Sequence, residues 1–156
     1  MDKNIQSGLR VLIKDLLSMP SGSVRPQDNQ PIEGNNFAIM RVTDTEYRGW
    51  AGGSENAQQQ AIDTVTLDFF GVRASNYAGQ LKIAMQTPLG VEGMTKLGLG
   101  FIDCENARDL TALELDQIDR YQVKMRVSYL ISYIPPDEFD SYGSIESVPI
   151  DMIAEP

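Results

Sequence analysis

Two carboxylates, Asp63 and Asp68, stand five residues apart in a run rich in β-branched and aromatic side chains. A metal-dependent nuclease or a glycosidase would keep its acids in such a place, to hold a divalent ion or to protonate a leaving group. Residues 61–70 read as a strand, with Val65, Leu67 and Phe69 on one face. Asp68 then falls on the other face, where a solvated strand residue is the simpler expectation.

Other reactive groups are scarce. The chain has no histidine, which removes the commonest general acid–base group and the commonest metal ligand. Cys104 is its only cysteine and reads as a small core residue. The stretch from Gly90 to Lys96 lacks the Gly-Lys-Ser/Thr order of a phosphate-cradling loop, and the stretch from Gly98 to Asp103 lacks the third glycine of a dinucleotide fingerprint. Residues 137–140 (Asp-Glu-Phe-Asp) do not follow a calcium-loop pattern. No catalytic residue, cofactor or metal site is expected.

The chain of 156 residues suits one core, and 42% apolar content places it among globular proteins. Its net charge of −9 is unevenly spread. Residues 135–156 hold six acids and no Lys or Arg, whereas residues 1–134 hold sixteen acids against thirteen bases. That balance argues against wrapping duplex DNA, since such binding depends on neutralising phosphates. A surface past which DNA slides remains compatible with it. The apolar run at 11–17 is broken by Lys14 and Asp15, so neither a signal peptide nor a membrane span is expected.

The elements follow from periodicity. Ile5, Leu9, Leu12, Ile13, Leu16 and Leu17 recur at helical spacing over residues 4–19, and Pro20 ends that helix. Residues 20–36 carry three prolines and two glycines and read as an extended connection. A short strand at 37–43 and the strand at 61–70 flank a glycine-containing hairpin tip at 44–60. A second helix spans 74–86, closed by Pro88. Residues 90–100 read as irregular with room for one short turn of helix, 100–105 as a weak strand and 106–118 as a connection.

The clearest signal is the long strand near 119–134. Tyr121, Val123, Met125, Val127, Tyr129, Ile131 and Tyr133 occupy every second position, with mostly polar residues between. The expected fold is α+β: a four-stranded mixed β-sheet with two helices on one face, in the order α-β-β-α-β-β. Residues 1–134 form that single domain, and residues 135–156 follow as an extended acidic C-terminal arm.

This order leaves one sheet face for a partner. Arg120, Lys124 and Arg126 fall together on it, opposite in sign to the acidic arm. Trp50, framed by glycines, reads either as an interface anchor or as a side chain folded back on its own sheet. Arg25 lies beside Pro26 on an arm that either crosses to a neighbour or stays a surface loop. Val148, Ile150 and Met152 alternate, so the arm's end suits adding a strand to an exposed sheet edge.

Several of these pieces together resemble the bacteriophage tail-terminator and neck-terminator proteins. They are the N-terminal amphipathic helix, the Val24-Arg-Pro26 arm leading to Asn36-Phe-Ala-Ile39, and Thr64-Val-Thr-Leu-Asp-Phe-Phe-Gly71 running into a helix that starts at Ala74. The last is Asp119-Arg-Tyr-Gln-Val-Lys-Met-Arg-Val127. The resemblance covers most of residues 5–134 and leaves the acidic tail outside it. It implies a virion protein: a homo-oligomer, a ring of six copies, that caps the tail tube protein and presents a surface to the head–tail connector. DNA would pass through its lumen without specific binding. Two other readings stay open at this level, a small Asp/Glu-dependent metal hydrolase or nuclease and a non-virion acidic interaction module.

Overall fold

The computed structural model describes residues 1–27, 36–49, 57–113 and 118–134. Helix α1 (Lys3–Leu16) begins where the Asp2 carboxylate accepts the Ile5 amide at 2.8 Å, satisfying one of the orphan donors of the first turn. It ends at Leu17, with Ser18 in left-handed conformation (φ 52°) turning the chain before Pro20. Strand β1 (Val24–Pro26) follows, then β2 (Asn36–Arg48) and β3 (Ala57–Gly71). Helices α2 (Ala74–Gln86) and α3 (Pro88–Lys96) lead to β4 (Gly100–Cys104) and β5 (Arg108–Asp109). A 3-10 turn (Thr111–Leu113) precedes β6 (Arg120–Tyr133).

The six strands form one sheet in the order β1-β2-β3-β6-β4, with β5 also against β6. Among the described residues β1–β2 pairs parallel and the other pairings are antiparallel, so the sheet is mixed. Register sets its faces: Met40 lies beside Leu67, which lies beside Val123, and Val42, Val65 and Met125 form the next row. These side chains pack under Leu9 and Ile13 of α1, Tyr77, Leu81 and Met85 of α2, and Met94 of α3. All three helices therefore cover one face, which holds the core.

The α+β class, the mixed sheet and the long last strand agree with the sequence. The four-stranded, two-helix count does not. β1 was hidden because three residues among prolines show no alternation, yet Val24 pairs with Ala38 and is buried. β5 has two residues, too short to carry a period. β2 and β3 run further into the hairpin than residues 43 and 61, their polar ends being held by pairing rather than burial. The acidic arm lies outside the described residues.

α3 extends well past the single short turn expected of so glycine-rich a stretch, because its glycines serve close packing. A side chain at Gly93 would strike Leu12 of α1, and Gly8 sits against the Leu97 side chain. Thr87 caps the helix by accepting the Gly90 amide at 3.2 Å, and Pro88 occupies the first turn. A Cβ at Gly90 would collide with the Ala84 carbonyl oxygen and lie 2.7 Å from that of Met85. Those are backbone atoms of α2 and cannot move cheaply. Gly90→Ala is thus expected to destabilise by about 1–3 kcal/mol, overriding alanine's better helix propensity. Gly79→Ala, which meets nothing within 4 Å, should raise stability by up to about 1 kcal/mol. Thermal melts of the two variants moving in the same direction would contradict this reading.

Candidate functional site

Asp63 and Asp68 differ by an odd number of positions on one strand, so they point to opposite faces. They cannot act as a pair. Among the described residues no group of three His, Cys, Asp or Glu side chains converges as metal ligands.

Asp68 corrects the sequence expectation, being only 2% exposed. The helix-free face is covered there by long side chains from the neighbouring strands. Arg120 donates to its Oδ1 from Nε and Nη2 at 3.3 and 3.2 Å, Gln122 does so at 3.1 Å, and Arg41 stands 3.7 Å from Oδ2. The Arg120 guanidinium also lies 5.4 Å over the Phe70 ring, itself stacked on Phe37. Alternation marks which face a strand residue joins, not what its neighbours lay over it.

Arg120, Lys124 and Arg126 do share this face, in register with Phe70, Thr66 and Thr64. They are half-buried, and two of them are spent within the chain. Arg126 makes a forked pair with Asp103, at 2.9 and 2.7 Å, which holds the Asp103 carboxyl below the usual carboxylate range. Both partners are partly exposed, so solvent screening leaves the pair only a small contribution to stability. Lys124 makes no ion pair among the described residues. With Arg120 and Arg126 each held by a carboxylate, the face is less positive than the strand alone suggests.

Asp63 sits on the helix-covered face and is fully buried. Its Oδ1 accepts from Thr45 Oγ1 at 2.8 Å and from the Tyr129 hydroxyl at 3.1 Å, and its Oδ2 stands 3.1 Å from the Met1 ammonium. That ammonium also donates to the Tyr129 oxygen at 2.8 Å. The cluster fixes the start of α1 to the sheet. Burial, and after it the charge of Asp63, pushes the Tyr129 hydroxyl up to about 12. Cys104 is likewise pushed up to about 12, chiefly by burial, which suits a packed thiol rather than a nucleophile.

Arg25 lies in β1, where it donates to the Gly22 carbonyl at 3.1 Å. Trp50, Val148, Ile150 and Met152 lie outside the described residues. Two apolar surfaces went unread in the sequence. One is an open cleft of about 1110 Å³ among the three helices, lined by Leu12, Leu16, Ile83 and Leu89 among others. The other is the distal end of the sheet, where Tyr47, Leu130, Ile131, Tyr133 and Ile134 are exposed. Ile131 and Tyr133 continue the apolar alternation of β6 yet are exposed, because among the described residues no helix reaches the far end of the strand, so the expected burial of that face stops short of them.

A mixed sheet with helices on one face, matched charges on the other and apolar surface at its margins defines an α+β structural module. The chain belongs to the phage neck terminator protein family, whose model matches residues 3–155. No curated protein matches it. Membership makes it a structural protein of the bacteriophage virion, located at the tail and neck and associated with tail and head components. Among the described residues no helix is long and apolar enough to cross a membrane.

Proposed function

We propose that this protein closes the tail tube as a ring of six copies, ending tube growth and offering a docking surface to the head–tail connector. DNA passes through the ring's lumen without sequence-specific contact. The observation that carries this reading is the family match over nearly the whole chain. The activity is geometric: a head-to-tail ring needs a heterologous interface that closes on itself. No chemistry is required of it, and Asp63 and Asp68 on opposite faces offer no hydrolytic pair.

The acidic residues 135–156 act as an arm docking on a neighbouring subunit or neck protein, with Val148, Ile150 and Met152 supplying most of the affinity. Arg25, Trp50 and the Arg120–Lys124–Arg126 row belong to the subunit and partner surfaces. Rim charge pairs contribute roughly 0–1 kcal/mol each, so the alternating apolar residues must dominate.

Purified particles test both statements. Quantitative mass spectrometry should count about six copies per tail if the proposed ring closes with that order. A single copy, or none, overturns the ring. Deleting residues 137–156 should impair incorporation. If truncated chains enter particles as well as full-length ones, and those particles stay infectious, the arm is dispensable.

A further inference from the structure

We propose that two open edges at the distal end of the sheet join copies of this chain, the β2 edge of one copy against the β6 edge of the next. The inference rests on the ring reading and adds the surface that closes it.

The pairing registers define both edges. On its outer side β2 is covered by β1 only at Ala38, Ile39 and Met40. Residues 41–48 of β2 therefore have no strand on that side among the described residues. β6 is covered by β5 at Tyr121 and Gln122 and by β4 from Met125 to Ser128. Residues 129–133 have no partner strand away from β3. Among the described residues the distal end is thus a three-stranded ribbon, β2-β3-β6, with no further strand along either margin.

An unpaired strand edge is a template for another strand, and soluble proteins blunt such edges with proline, charge or a bulge. Here the protection is partial. Pro26 ends the short cover on β2, and a register shift between Val42 and Asp44 bends the strand. The far end of β6, from Ser128 to Tyr133, contains neither charge nor proline.

The side chains favour joining unlike edges. Tyr47, Ala61 and Tyr129 lie in one cross-strand row, so Tyr47 and Tyr129 share the helix-covered face, and Ile131 and Tyr133 follow on it at alternate positions. Tyr47 and Tyr133 are each 61% exposed and Ile131 38%. Laying β6 of one copy along β2 of the next would bring these apolar groups together on one face. Two β2 edges would instead bring Asp44 and Glu46 against their own copies. β2 and β6 both run antiparallel to β3, so the joint is a parallel pairing, the sense in which β1 already lies on β2. One edge of each kind per copy gives a heterologous contact that repeats around a ring.

The test uses whole particles carrying Cys104→Ala together with Tyr47→Cys and either Ile131→Cys or Tyr133→Cys. Mild oxidation should give a ladder of linked chains in non-reducing gels, absent from chains with a single new cysteine. Copy number is counted in the same particles. Several copies per tail with no ladder from either pairing overturns the edge joint and leaves the ring standing. Absence of multiple copies overturns both. As a second arm, Ile131→Lys with Tyr133→Lys should leave the melting temperature of the isolated chain unchanged and cut incorporation at least about tenfold. Normal incorporation of that variant overturns the joint.

Discussion

Val127→Asp should leave little folded protein at elevated temperature, with a melting point about 10–20 °C below that of the parent chain. Val127 is fully buried on the helix-covered face, and its cross-strand neighbour on β3 is Asp63, also fully buried. The substitution removes apolar packing and adds a second carboxylate beside one whose hydrogen-bonding partners are already committed. Two like charges in one dry site cannot both ionise cheaply, so one must take up a proton or the site must open. The combined cost is about 4–5 kcal/mol. Ser128→Asp, one residue on and facing the other way, should shift stability by no more than about 1 kcal/mol. Circular dichroism melts decide it. Equal melting points for Val127→Asp and the parent would mean that the strand lies one residue out of register.

That register was legible because the strand alternates without a break, with Val123, Met125 and Val127 all buried. α2 was legible for a similar reason: Ala74, Tyr77, Ala78, Leu81 and Met85 recur at helical spacing and all are buried. The losses have physical causes too. α3 is longer than the single turn the sequence suggests because Gly90 and Gly93 count as breakers in a sequence, whereas here the absence of a side chain admits the neighbouring helices. Thr87-Pro88 was the available signal, a capping residue followed by a proline at the first turn. Asp68 was placed on the right face and wrongly assumed to be wet, because Arg120, Gln122 and Arg41 reach it from different strands. The strand margins left uncovered among the described residues were equally invisible, since an edge is defined by the strand that fails to cover it. Alternation finds faces; only topology finds margins.

Asp63 gives the second large effect, and one that separates a structural role from a merely buried position. Asp63→Ala removes the acceptor shared by Thr45 and Tyr129 and strips the Met1 ammonium of its counter-charge. Breaking a buried ion pair from one side costs about 3–5 kcal/mol, because the remaining charge stays desolvated. Asp63→Asn keeps an acceptor oxygen and most of the volume, so its cost should be smaller, about 1–3 kcal/mol. Tyr129 reports on the same site spectroscopically. Its hydroxyl, pushed up to about 12 from an ordinary 10, favours the folded state fully below pH 10, and that contribution is lost as the pH climbs from 10 to 12. Burial is the larger cause and survives in Asp63→Asn, while the carboxylate's charge does not. The tyrosinate absorbance of Tyr129 should therefore rise at lower pH in the Asn variant, with the titration staying above the ordinary value. A Tyr129→Phe control identifies which transition is being followed. If the Asn variant melts like the parent and titrates like it, Asp63 does not hold α1 to the sheet.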